Sequence, residues 1–121
     1  THRRQKLYIQ PIVYEEGSAI NAKNMKQLRQ WLEAFFMPCP VEILPNIYDQ
    51  VLRDNSEIAR KENDHGYLQY NAIHILKHII GPIQKAKNDA IGVISFTDVD
   101  LYTKELSNYC FGYGIPALGG I

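Results

Sequence analysis

Ala90-Ile91-Gly92-Val93-Ile94-Ser95-Phe96-Thr97 (AIGVISFT) is an apolar run without charge and without clean alternation. A strand covered on both faces has that pattern, so the centre of a β-sheet belongs here. Asp98-Val99-Asp100-Leu101-Tyr102 follows at its carboxyl end. Upstream, Leu7 to Tyr14 (LYIQPIVY) reads as a second strand. Pro11 removes one ladder donor, which predicts an edge position or a bulge. Val41 to Ile47 (VEILPNI) is a third strand candidate. Asn108 to Ile121 reads as a strand, a glycine-rich turn and the start of another strand.

Two helices separate these strands. Asn21 to Phe36 carries Met25, Leu28, Leu32 and Phe35 at helical spacing, widened by Trp31 and Phe36. The stripe reads as core, with Asn21 as the cap and Met37-Pro38-Cys39-Pro40 as the stop. Tyr67 to Ile80 puts Leu68, Ala72, Ile75, Leu76 and Ile79 on one face. Tyr67, Tyr70, Asn71, His74, Lys77 and His78 fall on the other, and Gly81-Pro82 ends the helix. Residues 48–66 are polar and charged and predict an exposed excursion. Residues 1–121 then form a single or partial domain of α/β (α+β) class, a mixed twisted β-sheet with backing helices.

Composition narrows the function. The chain has 121 residues, thirteen basic and thirteen acidic side chains, 45% apolar and 21% charged residues. A balanced charge gives no global field for nucleic acid, although Thr1 to Lys6 (THRRQK) is locally basic, as a flexible terminus or a trimmed targeting segment would be. No apolar run approaches the roughly 18 residues of a membrane span. Cys39 and Cys110 are the only cysteines, which favours two thiols in a reducing compartment and an intracellular protein, cytoplasmic or mitochondrial.

Three short motifs invite chemistry. His74-Ile75-Leu76-Lys77-His78 sets two imidazoles four residues apart, as in H-E-x-x-H. Ile75 replaces the glutamate, Lys77 opposes a cation, and His2 and His65 lie upstream, where no third ligand follows the pair. A polar helix face is the expectation. Asp98 and Asp100 form a D-x-D, which in a glycosyltransferase would hold Mn²⁺, but strand ends favour aspartate as a turn former. Gly112, Gly114 and Ala117 match a relaxed dinucleotide fingerprint, yet only five residues follow Pro116, too few for the required helix.

Taken together and in order, several segments resemble the archaemetzincins, a family of metzincin-type zinc metallopeptidases. They are Leu7 to Ile12 (LYIQPI), Leu28 to Pro45 (LRQWLEAFFMPCPVEILP), Tyr67 to Ile79 (YLQYNAIHILKHI) and Asp89 to Gly112 (DAIGVISFTDVDLYTKELSNYCFG). After Phe111-Gly112 the chain departs from the family's small polar segment with YGIPALGG. The family's H-E-x-x-H-x-x-G-x-x-H signature and its cysteine-rich second zinc site lie C-terminal to these segments. The resemblance therefore implies a metzincin-like N-terminal subdomain with no catalytic, cofactor-binding or metal-binding residue in this chain. Zinc and peptide-bond hydrolysis are implied for a complete family member only. The implied partners are a C-terminal catalytic half, or a protein covering the same surface, and an extended peptide along an edge within residues 108–121. The alternative is a non-catalytic structural or interaction subunit that kept this scaffold.

Overall fold

A computed structural model describes residues 6–15, 22–35, 39–62, 64–103, 114–115 and 119–120. The main sheet has six strands. In chain order these are β1 (Lys6–Val13), β2 (Val41–Ile43), β3 (Ile47–Tyr48), β6 (Ala90–Thr97), β8 (Gly114–Ile115) and β9 (Gly119–Gly120). Their lateral order is β2-β1-β6-β9-β8, with β3 also pairing β1. Every pair is parallel except the β8–β9 hairpin. A smaller sheet of β4 (Arg60–Glu62), β5 (Leu68–Asn71) and β7 (Asp100–Tyr102) runs in the order β4-β5-β7. The chain is thus a mixed α/β fold, with AIGVISFT central as expected.

Pro11 is central, not at an edge: β6 flanks β1 on one side, and β2 and β3 on the other. Backbone direction explains how the sheet tolerates it. Leu7 N–H donates to Pro40 and Leu44 N–H to Ile9 O, so odd-numbered residues of β1 address the β2–β3 side. The missing donor of Pro11 therefore faces the break between β2 and β3. Gln10 Nε2 fills that break, donating to Pro11 O and Pro45 O at 2.9 Å each. The bulge in this ladder lies elsewhere. Lys6 pairs Ala90 and Leu7 pairs Gly92, leaving Ile91 as the extra residue. Ala90 and Val93, three apart, consequently face the same core cluster, and the apparent lack of alternation in β6 follows.

The helix expected over 67–80 begins and ends later. Leu68–Asn71 is strand β5, paired antiparallel to β4 through a turn in which Gly66 adopts φ 80°. Tyr70 and Gln69 are buried, at 2% and 1% exposure, while Leu68 at the strand's start is exposed. Asn71 caps helix α3 (Ala72–Ile75), its Oδ1 accepting from His74 N–H at 3.1 Å. A π-helical turn (Leu76–Ile80) and helix α4 (Gly81–Ala86) continue it. Gly81-Pro82 does not terminate the helix. Gly81 N–H reaches back to Leu76 O, an i→i−5 bond, and this wider turn relieves the clash that proline imposes on an α-helical carbonyl.

Two apolar clusters pack on the sheet. Helix 72–86 covers one face, burying Ile75, Leu76, Ile79 and Ile80 with Tyr8, Ile12 and Val93. Helix α1 (Ala22–Phe35) joins Leu7, Ile9 and Val41 through Met25 and Leu32. The expected excursion at 48–66 holds short helix α2 (Asp49–Asp54) and is mostly exposed. Leu52 and Ile58 nevertheless enter the first cluster, at 0% and 3% exposure. Two fully buried aliphatic side chains contribute about 1.5–3 kcal/mol each, enough to pin the segment.

Candidate functional site

The histidines of HILKH do not converge on a metal position. His74 Nδ1 accepts the Ala59 N–H at 3.0 Å, and His78 Nδ1 lies 2.6 Å from Glu57 Oε2. Their ring centroids are 6.2 Å apart at an interplanar angle of 67°. Among the described residues, no group of three or more His, Cys, Asp or Glu is arranged to hold a metal ion. Among the described residues, His74 and His78 are thus placed without a third metal ligand beside them. The face expected to be merely solvated instead holds the 57–59 segment, by the Ala59 backbone and the Glu57 side chain.

Asp98 and Asp100 part company at the end of β6. Asp98 is half-buried in the turn where Val99 N–H donates to Thr97 Oγ1 at 3.1 Å. Asp100 opens strand β7, exposed, in register with Gln69. Cys39 is half-buried against the α1 cluster. Cys110, Gly112 and Ala117 lie outside the described residues, as do Asn21 and Phe36. Gly114 is described only as backbone of the β8–β9 hairpin.

Sequence reasoning missed a cleft of about 260 Å³ lined by Tyr14, Glu15, Asp49 and Arg53. It sits where β1 and β3 end, because parallel register sets Val13 beside Tyr48. The chain leaves β1 for β2 on one side and returns as β6 on the other. Ligands of open α/β sheets favour the carboxyl ends of strands at such a reversal. Asp49 is buried and organised: Oδ1 accepts from Glu15 N–H at 3.2 Å and Oδ2 pairs with Arg53 Nη2 at 3.1 Å. Burial, and then the Asp100 and Asp98 carboxylates, hold the Tyr14 phenol above its ordinary pKa. The local field is negative, which attracts cations and repels anions. No spacing signal could have joined residues that only the parallel register brings together.

The second feature is apolar. Trp31 and Phe35 are 61% and 68% exposed and stack with centroids 5.4 Å apart. Among its described residues the stripe on α1 is thus core at Met25 and Leu32, with Leu28 half-buried. Ile94 and Phe96 of β6 are half-buried against the cluster that α1 joins. β9, described at Gly119 and Gly120, pairs with β6 at Ile94.

No protein-family model, curated protein or solved structure matches the chain.

Proposed function

We propose that this chain is the N-terminal scaffold portion of an archaemetzincin-like zinc metallopeptidase, with peptide-bond hydrolysis belonging to the complete protein. The observation that carries the reading is the half-covered sheet. On the α1 side, Ile94, Phe96, Trp31 and Phe35 offer apolar surface where a further helix could pack. The metzincin resemblance of the ordered segments supplies the identity of that helix, the zinc-bearing one. The mixed sheet with helices against it is compatible with such a subdomain. Strand β8 ends the strand order, and an edge there would take an extended peptide through backbone hydrogen bonds. The sparse cysteines favour an intracellular site, cytoplasmic or mitochondrial.

Metal analysis and a peptide-cleavage assay on this chain test the reading. The expected result is no stoichiometric zinc and no turnover. Stoichiometric zinc together with turnover overturns it. The same apolar face also favours the second reading, a subunit that keeps the scaffold and docks a partner instead. Reading the natural coding sequence beyond Ile121 separates them: an H-E-x-x-H supports the peptidase, and a stop codon supports the subunit.

A further inference from the structure

We propose that His74 is a proton-operated latch on the segment that joins α2 to β4, acting independently of any peptidase role. The latch is built from one acceptor atom. His74 Nδ1 receives the backbone N–H of Ala59 at 3.0 Å, so that nitrogen carries a lone pair and the imidazole is neutral, with its proton on Nε2. A proton added at Nδ1 turns the acceptor into a donor facing another donor, and the bond is lost.

One helical turn later, His78 responds in the opposite sense. Its Nδ1 lies 2.6 Å from Glu57 Oε2, where it carries a proton and donates to the carboxylate, and a second proton, on Nε2, turns that hydrogen bond into an ion pair. Glu57 is well exposed, so this pair is screened and weak. Acidification therefore releases the segment at residue 59 while tightening it at residue 57. Ile58, between them, is 3% exposed and acts as the pivot. The charged and titratable side chains here are Glu57 on the segment, Arg60, Lys61 and Glu62 on β4 directly after it, and Lys77, His78 and Lys85 on the helix.

The segment has somewhere to transmit its motion. Arg60 Nη1 donates to Arg53 O at 2.7 Å. Arg53 in turn pairs with Asp49 and lines the cleft at the end of β1. Ala59 O meanwhile accepts from Asn71 N–H at 2.9 Å, which ties the same residue to the start of the helix that carries both histidines. These two hydrogen bonds and one ion pair, joined through the chain from Ala59 to Arg60 and through Arg53 itself, make a contiguous path from His74 to the cleft.

The test is made by NMR on the intact chain. Imidazole ¹⁵N shifts give the His74 tautomer and its titration, and amide exchange of Ala59, corrected for intrinsic pH dependence, is followed in the same samples. The expected result is an Nε2–H tautomer, with Ala59 exchange rising about fivefold in step with His74 protonation, the scale of losing one hydrogen bond. His74→Asn, whose Oδ1 can replace Nδ1 and does not titrate, should keep Ala59 protected and abolish that rise. His78→Gln should leave the rise in place. An Nδ1–H tautomer, a flat Ala59 profile through the His74 titration, or an undiminished rise in His74→Asn overturns the latch.

Discussion

The two faces of the main sheet are built from the same strands yet are finished differently. Toward helix 72–86, the centre of the core is fully buried: Ile12, Ile75, Leu76, Ile80 and Val93 are all 0% exposed, with Ile47 and Ile83 partly buried at its margin. Toward α1, Leu7, Ile9 and Val41 are buried, but Ile94 and Phe96 are only half-covered and an aromatic pair stands in solvent. Among the described residues, the first face is the more deeply buried and the second leaves more apolar surface uncovered. Alternation along β6 supplies apolar residues to both, so the sequence of the strand alone cannot tell a finished face from an open one.

The largest expected effect breaks or upholds that contrast directly. Leu76→Ala leaves a cavity among side chains that cannot collapse around the π turn, and should lower the unfolding free energy by about 2–5 kcal/mol. Ile94→Ala, on the open face, should cost about half as much, because solvent already reaches it. Urea denaturation of both variants decides the matter. Equal losses would mean the two faces are equally closed.

A smaller effect reads the amino end of the closed face. Tyr8 donates to Asp89 Oδ1 at 2.6 Å, and this bond, then burial, pushes the phenol up to about 12. The same bond holds the Asp89 carboxyl below its ordinary value. For Tyr8 the folded state favours the protonated phenol. Its contribution is fully present below the unfolded value near 10 and is lost as pH rises toward about 12. For Asp89 the sign is opposite: its contribution is present above the unfolded value near 3.8 and is lost as pH falls below it. Stability measured from neutral pH upward should fall across the first window, and Tyr8→Phe should flatten that fall. An unchanged alkaline slope in Tyr8→Phe would show that the hydrogen bond does not set it.

Much of this architecture is legible in the sequence, and the exceptions share a cause. The central position of AIGVISFT and the closing hairpin follow from local pattern. Pro11 misleads because the repair comes from Gln10 and a gap between β2 and β3, partners far along the chain. Gly81-Pro82 misleads because a π turn absorbs the proline. Leu68 to Asn71 fits a helical wheel, but β5 has β4 and β7 to pair with, and tertiary pairing outweighs local periodicity. The cleft escapes notice altogether, since Tyr14 and Asp49 meet only through strand register.

The smallest effect on stability probes the open face most sharply. Trp31 and Phe35 stack on each other, and most of their surface lies in water. Replacing both with lysine removes little buried area and adds charge at solvent positions, so unfolding free energy should stay within about 0.5 kcal/mol of the parent for each site. Binding of a hydrophobic dye, or self-association at high concentration, should fall clearly, because the patch that drives it has gone. That pairing of outcomes belongs to an apolar patch outside the core. A loss of several kcal/mol would instead show that the aromatic pair is part of the core, and the contrast between the two faces would vanish with it.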